Sequence, residues 1–161
     1  MFTGTIYREK NVNGFVDLAV SDKSVVVIKT HMLPLDIFDK AVLIVRDPFD
    51  ALVAEWNRKF GGPLGCAPKS SFQSDGGLKW KRYVYEGIQQ WRDFNIAWHH
   101  HFATTGNLHV LPYELLAKKT KVELTKLLAF LNITPIDENL KWCMSRKEGF
   151  NHRKKPGTRT V

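Results

Sequence analysis

Cysteine is scarce in this sequence: Cys66 and Cys143 are its only two, and they lie far apart. Two are too few for a disulfide framework or a structural zinc site, so two free thiols are expected and the fold must rest on its apolar core. Long apolar runs are missing as well. Nothing approaches the ~18 apolar residues that span a bilayer. The opening stretch, "MFTGTIYREKNVNG", has no apolar segment of the kind a secretory leader carries. As read, nothing in this chain anchors or exports it. Repeats and low-complexity segments are absent too. Acidic residues are the last shortage: 16 Asp and Glu against 24 Lys and Arg leave a net charge of +8. A chain this basic is expected to meet an anionic partner, whether a nucleotide, a sulfated or sialylated glycan, or a nucleic acid.

What is present fits one domain. The 161 residues are 43% hydrophobic and 12% aromatic, enough for a real core. The positive charge is uneven. From Arg146 onward six Lys or Arg (Arg146, Lys147, Arg153, Lys154, Lys155, Arg159) face Glu148 alone. Such a run is either a solvated tail or an anion-binding segment.

Two short β-branched runs, "SVVVI" (24–28) and "AVLIV" (41–45), read as buried parallel strands. Continuous rather than alternating apolar residues predict a sheet covered on both faces. After the second run, Asp47 can cap a helix, Pro48 suits its first position and Asp50 its first turn. Phe49, Leu52, Val53, Trp56 and Phe60 share one face of that helix. Arg58 and Lys59 fall in its last turn, and Gly61-Gly62-Pro63 stops it. Residues 61–79 read as loop, and a long helix is predicted from about Trp80 to Ala103. "LHVLP" (108–112) is a third strand. Thr120 and Glu123 make a capping box for a helix that Asn132 closes, and a last helix runs from Glu138 to Arg146. Strands alternating with helices predict an α/β fold with a mostly parallel sheet flanked by helices.

Sites in such sheets lie beyond the carboxyl ends of the strands. Lys29 and His31 fall there after the first strand, Arg46 after the second, Tyr113 and Glu114 after the third. Arg46, beside a helix N-terminus, can hold a phosphate through its planar fork and the helix's free N–H groups. It can equally be a structural arginine paired with Asp47 or Asp50. His31 beside Lys29 can be a general base with a cationic partner, or a half-buried histidine next to a surface lysine.

Taken in order, "VVVIKTHMLP", "LIVRDPFDALVAEWNR" and "HVLPYELL" resemble the PAPS-dependent sulfotransferases. "AVLIVRDPFDALVAEWNRKFGG" and the basic "EGFNHRKKP" (148–156) resemble the sulfotransferase domain of the WSC-domain-containing proteins. The resemblance runs from about Phe2 to Pro156. It implies a P-loop-NTPase-like sulfotransferase fold and sulfuryl transfer from PAPS to a hydroxyl of a glycan or glycoprotein, sialylated chains among the candidates. By that resemblance His31 takes the acceptor proton, Lys29 stabilises the bridging oxygen, and Arg46 holds the 3′-phosphate of the cofactor. Arg153, Lys154 or Lys155 of the C-terminal basic loop (145–161) would close over that phosphate. No metal is called for. The Golgi lumen or membrane is implied for the full-length protein, with any membrane contact made through upstream sequence.

Two features depart from the family pattern. Ala54 stands where many members place a phosphate-binding serine. No small-residue strand–loop–helix precedes Ser24, so the whole chain reads as a single partial domain lacking the phosphosulfate-binding loop. Alone it is expected to bind PAPS poorly. An inactive, sulfotransferase-like binding module is therefore the alternative. Nucleic-acid binding ranks last, because no reading motif accompanies the charge.

His99-His100-His101 looks like a metal tract, yet consecutive helical residues point about 100° apart and cannot converge on one ion. Trp80, Trp91 and Trp98 could stack on a ligand, but core packing is expected of them. Asn132-Ile133-Thr134 fits a glycosylation sequon.

Overall fold

The computed structural model describes residues 4–5, 28–62 and 64–146. Its elements run β1 (Gly4–Thr5), β2 (Ile28–Lys29), β3 (Ala41–Val45), α1 (Pro48–Gly61), α2 (Lys69–Gln73), a 3-10 turn (Ser74–Gly77), α3 (Leu78–His101), β4 (Leu108–Pro112), α4 (Tyr113–Lys118), α5 (Thr120–Phe130) and α6 (Asp137–Ser145). The fold is α/β, and every strand pair among the described residues is parallel. β1 pairs with β2, and β3 pairs with β4 from Ala41 opposite Leu108 to Val45 opposite Pro112. Among the described residues these pairs form two two-stranded parallel sheets, flanked by helices as the alternation of strands and helices predicted. Of the predicted first strand only Ile28 is described; residues 24–27 lie outside the described residues, as does the basic segment 147–161.

Helix α1 begins as its sequence dictates. The Asp47 carboxylate accepts the N–H groups of Phe49 and Asp50, at 2.9 and 3.1 Å, and Pro48 opens the helix. It ends at Gly62, whose φ of 78° suits a residue without a Cβ. Helix α5 closes at Asn132 with φ of 55°. There Ile133 N–H donates to the Leu128 carbonyl and Asn132 N–H to the Ala129 carbonyl, a Schellman arrangement.

Two clusters make the core. Ala41 and Leu43 of β3 pack on Trp98 and Phe102 of α3, with Phe38, Val45, Phe94 and Leu108 around them. Trp56, only 1% exposed, sits in a nest of Phe60, Phe72, Trp80 and Tyr83 with ring centroids 4.4 to 5.9 Å away. Its indole N–H donates to Ser71 Oγ at 3.0 Å. This nest orders α2 and the 3-10 turn in what read as loop. It also starts α3 at Leu78, ahead of the predicted Trp80. Trp98 is a core residue, and Trp80 is half-buried with its ring against Trp56, the packing expected of them.

Three expectations fail. The predicted capping box does not form: Lys119 occupies the cap position without a side-chain bond, and Glu123 turns inward. Buried at 5% exposure, Glu123 accepts from Lys126 Nζ at 2.8 Å, so it cannot reach back to the helix start. On α1, Leu52 and Trp56 are buried, but Phe49 is 61% exposed because no described element covers that flank. The sheet is not covered on both faces either, since Ile44 of β3 is 57% exposed.

Candidate functional site

Two strand ends carry the candidate residues, and the cavity lined by His31 does not include Arg46 or Lys29. Arg46 follows β3 directly, half-buried, and three elements fix the junction it occupies. From α3, the Trp91 indole N–H donates to the Arg46 carbonyl at 3.1 Å. From α4, Glu114 Oε1 accepts the Asp47 N–H at 2.9 Å. The Tyr113 ring lies against the Arg46 guanidinium, centroid 4.8 Å from its central carbon. The Asp47 N–H bond is the main reason the Glu114 carboxyl sits below its ordinary range, with the nearby Arg46 charge adding to it.

Arg46 forms no ion pair among the described residues, which sets aside the reading that pairs it with Asp47 or Asp50. Its Nε is buried without a hydrogen-bond partner. A buried, unpaired guanidinium nitrogen is costly unless something accepts from it. One expectation needs correction. The helix N-terminus does not offer a set of free N–H groups, because Asp47 already accepts from Phe49 and Asp50. At this junction the Arg46 side chain, rather than the helix N-terminus, is the group with an unused donor.

A cavity of about 480 Å³ opens between α1 and α3, and Trp91, which bonds the Arg46 carbonyl, is part of its wall. His31 lines it, as do Glu55 of α1 and Tyr83, Gln90, Trp91 and Asn95 of α3. The two helices approach closely here because Gly87 faces Leu52, where a Cβ would collide with the leucine methyl. Glu55 is held below its ordinary range chiefly by the hydrogen bond from Arg58, with the charges of Arg58, Lys59 and His31 adding to this against some burial. Burial, then the Glu55 charge, pushes the Tyr83 phenol up. The mixture of rings, amides and carboxylates suits a ligand rich in hydroxyl groups.

His31 is exposed at the cavity mouth. Among the described residues its segment is held by the pairing of β2 with β1, by the bond from the Trp98 indole N–H to the Met32 carbonyl at 3.1 Å, and by the Thr30 hydroxyl, which accepts the Met32 N–H. Lys29 is exposed on β2 and is not part of the cavity lining. Arg153, Lys154 and Lys155 lie outside the described residues. Sequence reasoning missed the parts played by Trp91, Glu114 and the α3 face. The signal was there: Tyr83, Gly87, Gln90 and Phe94 recur at steps of three and four, one helical face.

His101 stacks edge-on against Phe102, its Nε2 3.9 Å from the Asp36 carboxylate. No group of three ligating side chains that could hold a metal occurs among the described residues. Cys66 and Cys143 are exposed free thiols. No helix among the described residues is long and apolar enough to cross a membrane.

Comparison with known proteins gives one family. The sulfotransferase domain matches residues 7–155. The chain is 37% identical over 161 residues to a WSCD family member of Drosophila melanogaster, covering 96% of this chain and 50% of that protein. Similar relatives are a WSCD family member of Drosophila pseudoobscura pseudoobscura, 37% identical over 164 residues, and one of Aedes aegypti, 34% identical over 160. Each again covers 96% of this chain and 50% of the relative, so the chain spans about half the length of the curated relatives it matches. No solved structure matches it significantly.

Proposed function

The chain belongs to the sulfotransferase domain family, and from that premise we propose that it serves sulfuryl transfer from PAPS to a hydroxyl of a glycan or glycoprotein, sialylated chains among the acceptors. The observation that carries this reading is Arg46: a buried guanidinium Nε without a partner, at a strand end whose backbone carbonyl is bonded by Trp91, a residue lining the same cavity as His31. That orphaned donor fits an anionic group such as the 3′-phosphate of PAPS.

When bound, PAPS supplies an activated sulfuryl group. The protein's own work is positioning and charge stabilisation, as in phosphoryl transfer. Arg46 holds the phosphate, joined by Arg153, Lys154 or Lys155 of the basic C-terminal segment. His31 would accept the proton of the acceptor hydroxyl as the sulfuryl group passes to that oxygen and PAP departs with the former bridging oxygen. Lys29 stabilises charge on the bridging oxygen. Gln90, Asn95 and Glu55 offer hydrogen bonds to sugar hydroxyls, and the half-buried Trp91 offers a ring face. For the full-length protein this chemistry belongs in the Golgi lumen.

Transfer of labelled sulfate from PAPS to glycoprotein acceptors tests the reading. Transfer that His31→Ala leaves untouched would remove His31 as the base. A second reading, a binding module without turnover, is favoured by Ala54, whose side chain offers a phosphate no donor. PAP binding with no detectable transfer to any glycan acceptor would select it.

A further inference from the structure

We propose that Glu114, with Tyr113 and Trp91, is the device that aims Arg46 at its anion; this rests on the reading of Arg46 as the phosphate-binding residue. Arg46 has two carboxylates as neighbours, either of which could neutralise it. Both are committed elsewhere. Asp47 accepts the N–H groups of Phe49 and Asp50, and Glu114 accepts the N–H of Asp47. Neither carboxylate forms an ion pair with Arg46 among the described residues, and the guanidinium Nε is without a hydrogen-bond partner.

The same contacts fix where that charge points. Glu114 pins the peptide after Arg46, and the Trp91 indole pins the carbonyl of Arg46 itself. The Tyr113 ring lies against the guanidinium, whose planar fork matches the oxygens of a phosphate. A long side chain held in place before its ligand arrives loses less rotamer freedom on binding, which raises affinity without a new contact. Glu114 and Tyr113 are adjacent in sequence and come from α4, so one short helix sets both the backbone and the side chain of Arg46. These are positioning residues: none of them needs to touch the ligand.

The test is a titration of the full chain with adenosine 3′,5′-bisphosphate, PAP, carried to millimolar concentration. It is followed by the nitrogen–proton NMR signals of arginine Nε. Arg46→Ala is expected to lose PAP affinity by roughly 10- to 100-fold, the value of one charge-assisted contact. Glu114→Ala is expected to lose roughly tenfold. Glu114→Gln keeps an acceptor oxygen and restores wild-type affinity. Tyr113→Phe keeps the ring and the affinity, whereas Tyr113→Ala loses affinity. If Glu114→Ala does not fold, Trp91→Phe, which deletes the indole N–H and keeps a ring, must weaken PAP binding while Glu114→Gln does not. Wild-type affinity in Glu114→Ala and Tyr113→Ala, or in Trp91→Phe, alongside a defective Arg46→Ala, would overturn the positioning role and leave the cofactor reading standing. Wild-type affinity in Arg46→Ala, or no PAP binding by the wild-type chain, would remove both.

Discussion

The two strand ends that carry the residues of the proposed site are built differently. Arg46, after β3, is held by contacts from α3 and α4 and flanked by carboxylates already committed to backbone donors. His31, after β2, is exposed, and among the described residues its segment is tied by the pairing of β2 with β1, an indole bond to the Met32 carbonyl and a local threonine turn. Both ties from α3 come from tryptophans on one helix, Trp91 and Trp98, seven residues or ~10 Å apart. The helix thus spaces two halves of unequal rigidity. A residue that must hold a fixed charge gains from being immobilised beforehand. One that must meet varied acceptors and exchange protons with them gains from access.

If that division of labour is right, His31→Ala should show the largest separable effect. Labelled-sulfate transfer should fall by about 10²- to 10⁴-fold, the usual worth of a general base, while PAP affinity stays unchanged. A matching loss of PAP affinity would break the comparison. Next comes the foundation of the anchored half. Trp56→Ala empties the ring nest between α1, α2 and α3 and should cost about 3–5 kcal/mol in a denaturant titration. A loss below ~1 kcal/mol would mean that the nest is not the keystone of that interface. Trp98→Phe sharpens the contrast from the other side. It deletes the bond to Met32 and trims a core ring, costing about 1–3 kcal/mol. Amide exchange near Met32 and Leu33 should rise more than at the Asp47 amide, which Glu114 holds.

The smallest effect concerns pH. Glu55 has its folded pKa held below the ordinary 4.5 by Arg58, so its contribution to stability is complete above that value and is lost as pH falls through the lower folded pKa. With the Glu55 side chain 46% exposed, solvent screening limits this to less than about 1 kcal/mol. Thermal midpoints of wild type and Glu55→Gln should converge as pH drops below 4.5. A gap that persists at lower pH would rule out the ion pair as its source.

Local signals were legible where they act over one turn of chain. The Asp47 cap, Pro48, the Gly62 stop and the Asn132 closure all took the form their side chains require, because each depends on neighbours within a few residues. The Thr120–Glu123 box failed for the opposite reason: Glu123 had a better fate inside, paired with Lys126, and burial against β4 and its neighbours is not a local property. Residues 61–79 looked like loop since their glycines and prolines dominate the count. Their structure comes from Phe72 and Ser71 meeting Trp56, fifteen or more residues away.

The sequence by itself determined the strands at 41–45 and 108–112, the start and stop of α1 and the closure of α5, the alternation that makes an α/β fold, and the placing of Lys29, His31 and Arg46 at strand ends. Those follow from periodicity, capping and strand polarity, which are written in neighbouring residues. Only the tertiary structure decided that Arg46 goes unpaired while the acids beside it are occupied. It also decided that Glu114, far along the chain, holds the peptide after Arg46, and that a glycine on α3 lets two helices close around a cavity. Those depend on which distant donors and acceptors are brought within bonding reach, and packing alone sets that distance.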